Sequence, residues 1–151
     1  MRIKYLIVDG SNVARTFFGY KRGMNARDIV AEDNRHSKSI LSLLAALHRR
    51  LCITEIKVYF DGTVRPHEIT PRNLPPSIRI EFGAGTSADD LMYREACKTD
   101  NKSGGILVVT DDRGLTARIK SLGRLKVRPV GILRDLANMA HLNTELYFQA
   151  A

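Results

Sequence analysis

Cysteine is scarce: two residues in 151, Cys52 and Cys97, far apart and in no CxxC or Cys/His grouping. That spacing excludes a disulfide framework and a structural zinc site, and two reduced, partly buried thiols are the expectation. Histidine is sparse as well, and His36, His48, His67 and His141 stand at no metal-ligand spacing. No long apolar run is present. The one inside MRIKYLIVDG is too short for a signal peptide or a membrane span, so a soluble, cytoplasmic protein with no membrane partner is expected. Internal repeats and low-complexity segments are also missing. Acidic charge is the minority, 16 Asp and Glu against 24 Lys and Arg, for a net charge of +8. Such a positive field favours polyanionic partners such as nucleic acid.

What is present is core-forming material for one domain over residues 1–151, with 44% of residues hydrophobic. Residues 3–8, 55–60, 78–82, 106–109 and 127–132 read as strands, the third alternating apolar and charged as an edge strand would. Ile40, Leu43, Leu44, Leu47 and Leu51 share one face of a helix over 37–51. Ser87 caps a helix over 88–99, with Asp90 completing a capping-box-like start, and 114–122 suits a helix ended by Gly123. Residues 19–35 read as a basic loop, and 63–77, with Pro66, Pro71, Pro75 and Pro76, as a surface loop. The C-terminal TELYFQAA resembles a protease-cleavable linker without its full pattern, so 144–151 reads as a possible tail. Strands alternating with helices predict an α/β domain of three layers, a mostly parallel Rossmann-like sheet covered on both faces.

The scarce acids are not scattered. LIVDG, VYFDG and ILVVTDDRGL each end an apolar run on a carboxylate: Asp9, Asp61, and Asp111 with Asp112. In open parallel sheets the ligand site lies beyond the carboxyl ends of the strands, and neighbouring strands sit about 4.8 Å apart. The three strand ends, with a fourth acid from Ser87-Ala88-Asp89-Asp90, would therefore converge. Carboxylates so close repel one another unless a cation intervenes, and an all-oxygen set suits Mg²⁺ or Mn²⁺ rather than zinc. Each of Asp89, Asp90, Asp111 and Asp112 taken singly also fits a helix cap; Asp9 and Asp61 precede glycine rather than an obvious helix.

IVDGSNV with Asp9 and Asn12, VYFDG with Asp61, TSADDLM with Asp89 and Asp90, and VVTDDRGL with Asp111 together resemble the NYN domains of the PIN-like nuclease superfamily. They are most similar to its bacterial YacP-like branch, over residues 3 to about 132. The resemblance implies endoribonuclease activity on single-stranded or locally unpaired RNA, a divalent metal, and products with 5′-phosphate and 3′-hydroxyl ends. Asp9, Asp89 and Asp111 would be the metal-binding carboxylates, Asp61 part of the same catalytic rim, and Asn12 an orienting amide. Asp90 and Asp112 stand beside them as further acidic candidates. Ribosome association is an expectation by analogy with that branch. The proline-bearing loop after Asp61 departs from the pattern.

Among the basic residues, Lys21, Arg22, Arg113, Arg118 and Lys120 are candidates to hold RNA phosphates on either side of the acids, with Arg113 the nearest to them; a solvated helix face explains such residues too. Phe17, Phe18 and Tyr20 could stack on bases, although core packing is the commoner role of Phe. Two rival readings remain. A Mg²⁺-dependent phosphatase or phosphotransfer domain also ends parallel strands on Asp, but a phosphatase of that kind wants a second Asp where Ser11 stands. A non-catalytic RNA-binding module of the same fold has no use for carboxylates that repel its ligand.

Overall fold

Short apolar runs bounded by polar residues form five parallel strands: β1 (Tyr5–Asp9), β2 (Glu55–Phe60), β3 (Ile78–Phe82), β4 (Ile106–Val109) and β5 (Lys126–Arg128). The computed structural model describes residues 2–19, 23–99, 104–123 and 125–148. Sheet order is β3-β2-β1-β4-β5, so the first strand lies in the middle and the chain winds outwards in both directions from it. In register, Val8 lies beside Val58 on one side and Val109 on the other, which brings three strand ends to one level.

Side chains alternate across the sheet, as its pleat requires. Leu6, Val8, Ile56, Val58, Phe60, Leu107 and Val109 face one core. It is completed by α1 (Gly10–Phe17), α2 (Ala26–Arg50), α3 (Pro66–Ile69), α6 (Ile132–Met139) and α7 (Glu145–Phe148). Ile7, Tyr59, Ile106, Val108 and Val127 face a second core under α4 (Ala88–Thr99) and α5 (Arg113–Lys120). The expected three-layer α/β architecture is the observed one. Among the described residues, no helix is long and apolar enough to cross a membrane.

Several local expectations are corrected. The helix expected over 37–51 begins at Ala26, so most of the supposed 19–35 loop is helical. Asn25 caps it by accepting from the Asp28 N–H at 2.9 Å, no Gly or Pro interrupts it, and Glu32 pairs with both Arg35 and His36 along its outer turns. A further helix, α1, follows β1 directly. Between β2 and β3, Pro66 starts a single helical turn at a position where its missing N–H costs nothing, and Ile69 is fully buried. The last strand stops at Arg128 rather than residue 132, because Pro129 cannot donate to a ladder, and α6 begins at Ile132. Cys52 and Cys97 are free and exposed rather than partly buried.

Phe17 and Phe18 pack rather than stand open: Phe17 stacks on Phe148 at 4.3 Å and Phe18 on His36 at 4.0 Å between ring centroids. Within the C-terminal TELYFQAA, Thr144 and Phe148 are buried. Tyr20, Lys21 and Arg22 lie outside the described residues.

Candidate active site

The winding reverses between β1 and β4, and the crevice at such a reversal is where open α/β sheets bind ligands. Asp9 ends the central strand at that point and is 3% exposed. It also caps α1, since Gly10 does open a helix: Asp9 Oδ1 accepts from the Asn12 N–H at 3.2 Å. Asp9 Oδ2 accepts from the Thr110 hydroxyl at 2.8 Å. Gly10 is required because a Cβ there would meet the Phe60 ring at 2.5 Å.

Burial pushes the Asp9 carboxyl up from 3.8 to about 6; the bonds from Thr110 and Asn12 oppose that, and the charges of Asp89 and Asp61 add to it. Asp89, near the start of α4, is likewise raised, first by burial and then by the neighbouring carboxylates of Asp112 and Asp61. Its carboxyl lies within hydrogen-bonding reach of Asp112, while Arg15 acts in the opposite direction. Asp9, Asp61, Asp89 and Asp112 thus form one electrostatic group. Asp61 is held at its place by its N–H, which donates to Ser11 Oγ at 2.8 Å. Asp112 caps α5, accepting from the Leu115 N–H at 2.7 Å.

Asp90 and Asp111 point elsewhere. One residue along a helix turns about 100°, and Asp90 accordingly pairs with Arg118 at 3.0 Å on the surface, where Arg118 also lies over the Tyr93 ring. The carboxylate of Asp111 accepts from the Val130 N–H at 2.8 Å and from the Thr16 hydroxyl at 3.3 Å, on the side of β5. Its own N–H donates to Asn12 Oδ1 at 2.9 Å, so the amide of Asn12 ties α1 to the loop after β4. Arg113 is exposed at the first position of α5, beside Asp112. Lys120 lines an open cavity of about 280 Å³ with Asp111, Thr116 and Arg128.

One central residue carried no expectation from sequence. Thr110, 2% exposed, gives its hydroxyl proton to Asp9 and accepts from the Asp112 N–H at 3.1 Å. Its signal was a lone hydroxyl between an apolar strand and two acids.

Among the described residues, no three acidic, histidine or cysteine side chains meet as a ready-made metal cage. Mg²⁺ asks for less, usually one or two carboxylates completed by waters and substrate phosphates. Asp89 with Asp112 supplies that donor chemistry: oxygen only, and mutually repelling until a cation intervenes.

No protein-family model matches the chain, and no curated protein matches it. Its fold is similar to that of Rae1 (YacP) from Bacillus subtilis. A structure of a single-residue mutant aligns over 91% of this chain and 76% of that one, with a TM-score of 0.64 and 16% identity. A second structure of Rae1 (YacP) aligns over 93% and 76%, with a TM-score of 0.63 and 16% identity. The chain therefore has a YacP-like α/β fold.

Proposed function

We propose that the chain is an endoribonuclease that cuts single-stranded or locally unpaired RNA with a divalent cation, Mg²⁺ or Mn²⁺, held at the acidic rim. The observation that carries this reading is the buried Asp9, its carboxyl raised, in one acidic group with Asp61, Asp89 and Asp112 at the switch point of a YacP-like sheet, in a chain of net charge +8. An acidic pocket in a basic surface suits a polyanion that the basic residues bind and that a cation seats over the acids for cleavage.

Asp89 and Asp112 would hold the metal, with Asp9 and Asp61 contributing negative charge to the same group. Asp111, expected from the sequence as a ligand, accepts from the Val130 N–H and the Thr16 hydroxyl on the β5 side, and it would join them only through its remaining lone pairs or after turning. A bound divalent cation supplies a coordinated water of lowered pKa and neutralises charge on the scissile phosphodiester. Thr110 fixes the carboxylate of Asp9, Asn12 fixes the loop that carries Asp111 and Asp112, and Arg113, exposed at the start of α5, would meet a phosphate oxygen. Lys120, and Arg118 beyond its pairing with Asp90, would extend that cationic face, and ribosome association would follow by analogy with the YacP-like neighbours.

Purified protein incubated with unstructured and hairpin RNA should cleave the unpaired regions with Mg²⁺ or Mn²⁺ and not with chelator. That no three acidic, histidine or cysteine side chains meet among the described residues favours one alternative, an RNA-binding domain without catalysis. Binding with no metal-dependent cleavage would establish that alternative and end the nuclease reading.

A further inference from the structure

Sharing Asp61 with the rim lies a cavity of about 120 Å³, lined by Ser11 and Arg15 of α1, Asp33 and Ser37 of α2, Phe60 at the end of β2, Asp61 after it, and Arg65 before α3. It is well below the roughly 300 Å³ of pockets that enclose a drug-sized ligand, so it takes a single small group. Two of its lining residues are arginines. Arg65 Nε is buried without a hydrogen-bond partner, while its guanidinium is held 5.5 Å from the centre of the Phe82 ring. A buried donor left unpaired is costly, and a planar guanidinium matches phosphate oxygens in pairs. Ser11 Oγ accepts from the Asp61 N–H, which leaves its own proton to donate. Arg15 lies close enough to the rim to act on Asp89, and Asp61 belongs to both places. Two carboxylates also line it: Asp33, which has an interaction with another group, and Asp61, whose charge acts on Asp9.

We propose that this cavity is an anion subsite for an internal phosphodiester of the RNA strand next to the one being cut, gripped by Arg65 with Arg15 and Ser11. The proposal rests on the RNA reading above and fixes the register of the strand: one phosphate in the cavity, its neighbour over the acids.

The test is binding of labelled oligouridylate to the full chain in chelator, titrated over a range of salt, so that cleavage plays no part. Each phosphate contact on a single strand contributes about 0.7 to the log-affinity against log-salt slope, which is about fivefold in affinity at 0.1 M salt. Arg65→Gln and Arg15→Gln should each lower the slope by that amount, and Arg65→Lys should keep the slope while losing affinity. Arg15 is exposed, so its variant tests the cavity even if Arg65→Gln unfolds. Oligonucleotides with 5′-hydroxyl and 5′-phosphate ends should respond alike; a loss confined to the 5′-phosphate form would assign the cavity to a strand terminus and overturn the proposal. Unchanged slopes in both Gln variants would overturn it while leaving the nuclease reading intact. Lowered slopes in a protein that cuts no RNA would do the reverse, and a chain that binds no RNA would sink both.

Discussion

The hydroxyl of Thr110 bridges two carboxylate-bearing residues of different elements: it donates to Asp9 Oδ2 on β1 and accepts from the backbone N–H of Asp112 before α5. A valine there would fill the space and break both bonds. Thr110→Val should therefore destabilise the fold by about 1–3 kcal/mol, the cost of leaving buried polar groups short of partners. It should also push the Asp9 carboxyl above its already raised value, since the Thr110 bond lowers it. Urea denaturation and carbon-detected NMR titration of the carboxyls would check the two halves independently.

The pH dependence of the metal-free protein follows from Asp9. Its folded pKa lies near 6 against 3.8 for a free Asp, so the folded state retains a proton that the unfolded chain gives up. The favourable contribution is full below about pH 4 and is lost as pH rises through 6, on the order of 3 kcal/mol by pH 7. Asp9→Asn should remove that loss. Both bonds to residue 9 survive, because an amide accepts from the Asn12 N–H and donates to Thr110. The stability gap between variant and parent, read from urea midpoints in chelator, should widen in the variant's favour from pH 4 to pH 7; a gap that stays constant would contradict the burial cause.

Calorimetric Mn²⁺ titration separates the two acids that follow β4. Asp89→Asn and Asp112→Asn should each weaken binding by more than about tenfold, the least that loss of even an outer-sphere partner costs. Asn caps a helix as well as Asp does, so Asp112→Asn should leave α5 in place. Asp111→Asn can still accept from the Val130 N–H and should have the smallest effect. Wild-type affinity in both Asp89→Asn and Asp112→Asn would rule out the proposed metal position.

Gly83 controls how α4 starts. A Cβ there would meet Ala88 N and Thr86 O, both at 2.8 Å, and backbone atoms cannot step aside as a flexible side chain can. Gly83→Ala should cost about 1–3 kcal/mol and, by shifting the turn that launches α4, should weaken Mn²⁺ binding with it. Thermal melts followed by circular dichroism would give the first quantity, and the same calorimetry the second.

The strands and the rim were legible because an apolar run ending on Asp is a local pattern, and the sheet's parallel register then gathers such ends without further instruction. Asp111 against Asp112 was not legible in this way. Adjacent residues point apart, and the structure places Asp111 towards Val130, whose N–H follows the proline that ends β5. The first half of α2 was hidden for a different reason. Residues 26–36 are mostly polar or charged, so no apolar stripe marked a helix that Asn25 and its side-chain pairs nonetheless support.

That hidden half has a mechanical consequence. A helix of 25 residues is a rod of about 37 Å, whereas a strand of five or six residues covers under about 20 Å. Since α2 ends at Arg50, just before β2 begins, and Asp33 already stands level with Asp61, the excess projects past the sheet as a parapet on the α1 side. The opposite side, over α4 and α5, has no such wall among the described residues. Under the proposed function, a strand laid across the carboxylates would meet a stop on one flank and an open sill on the other, so a rigid, wide duplex should reach the floor less readily than a single strand.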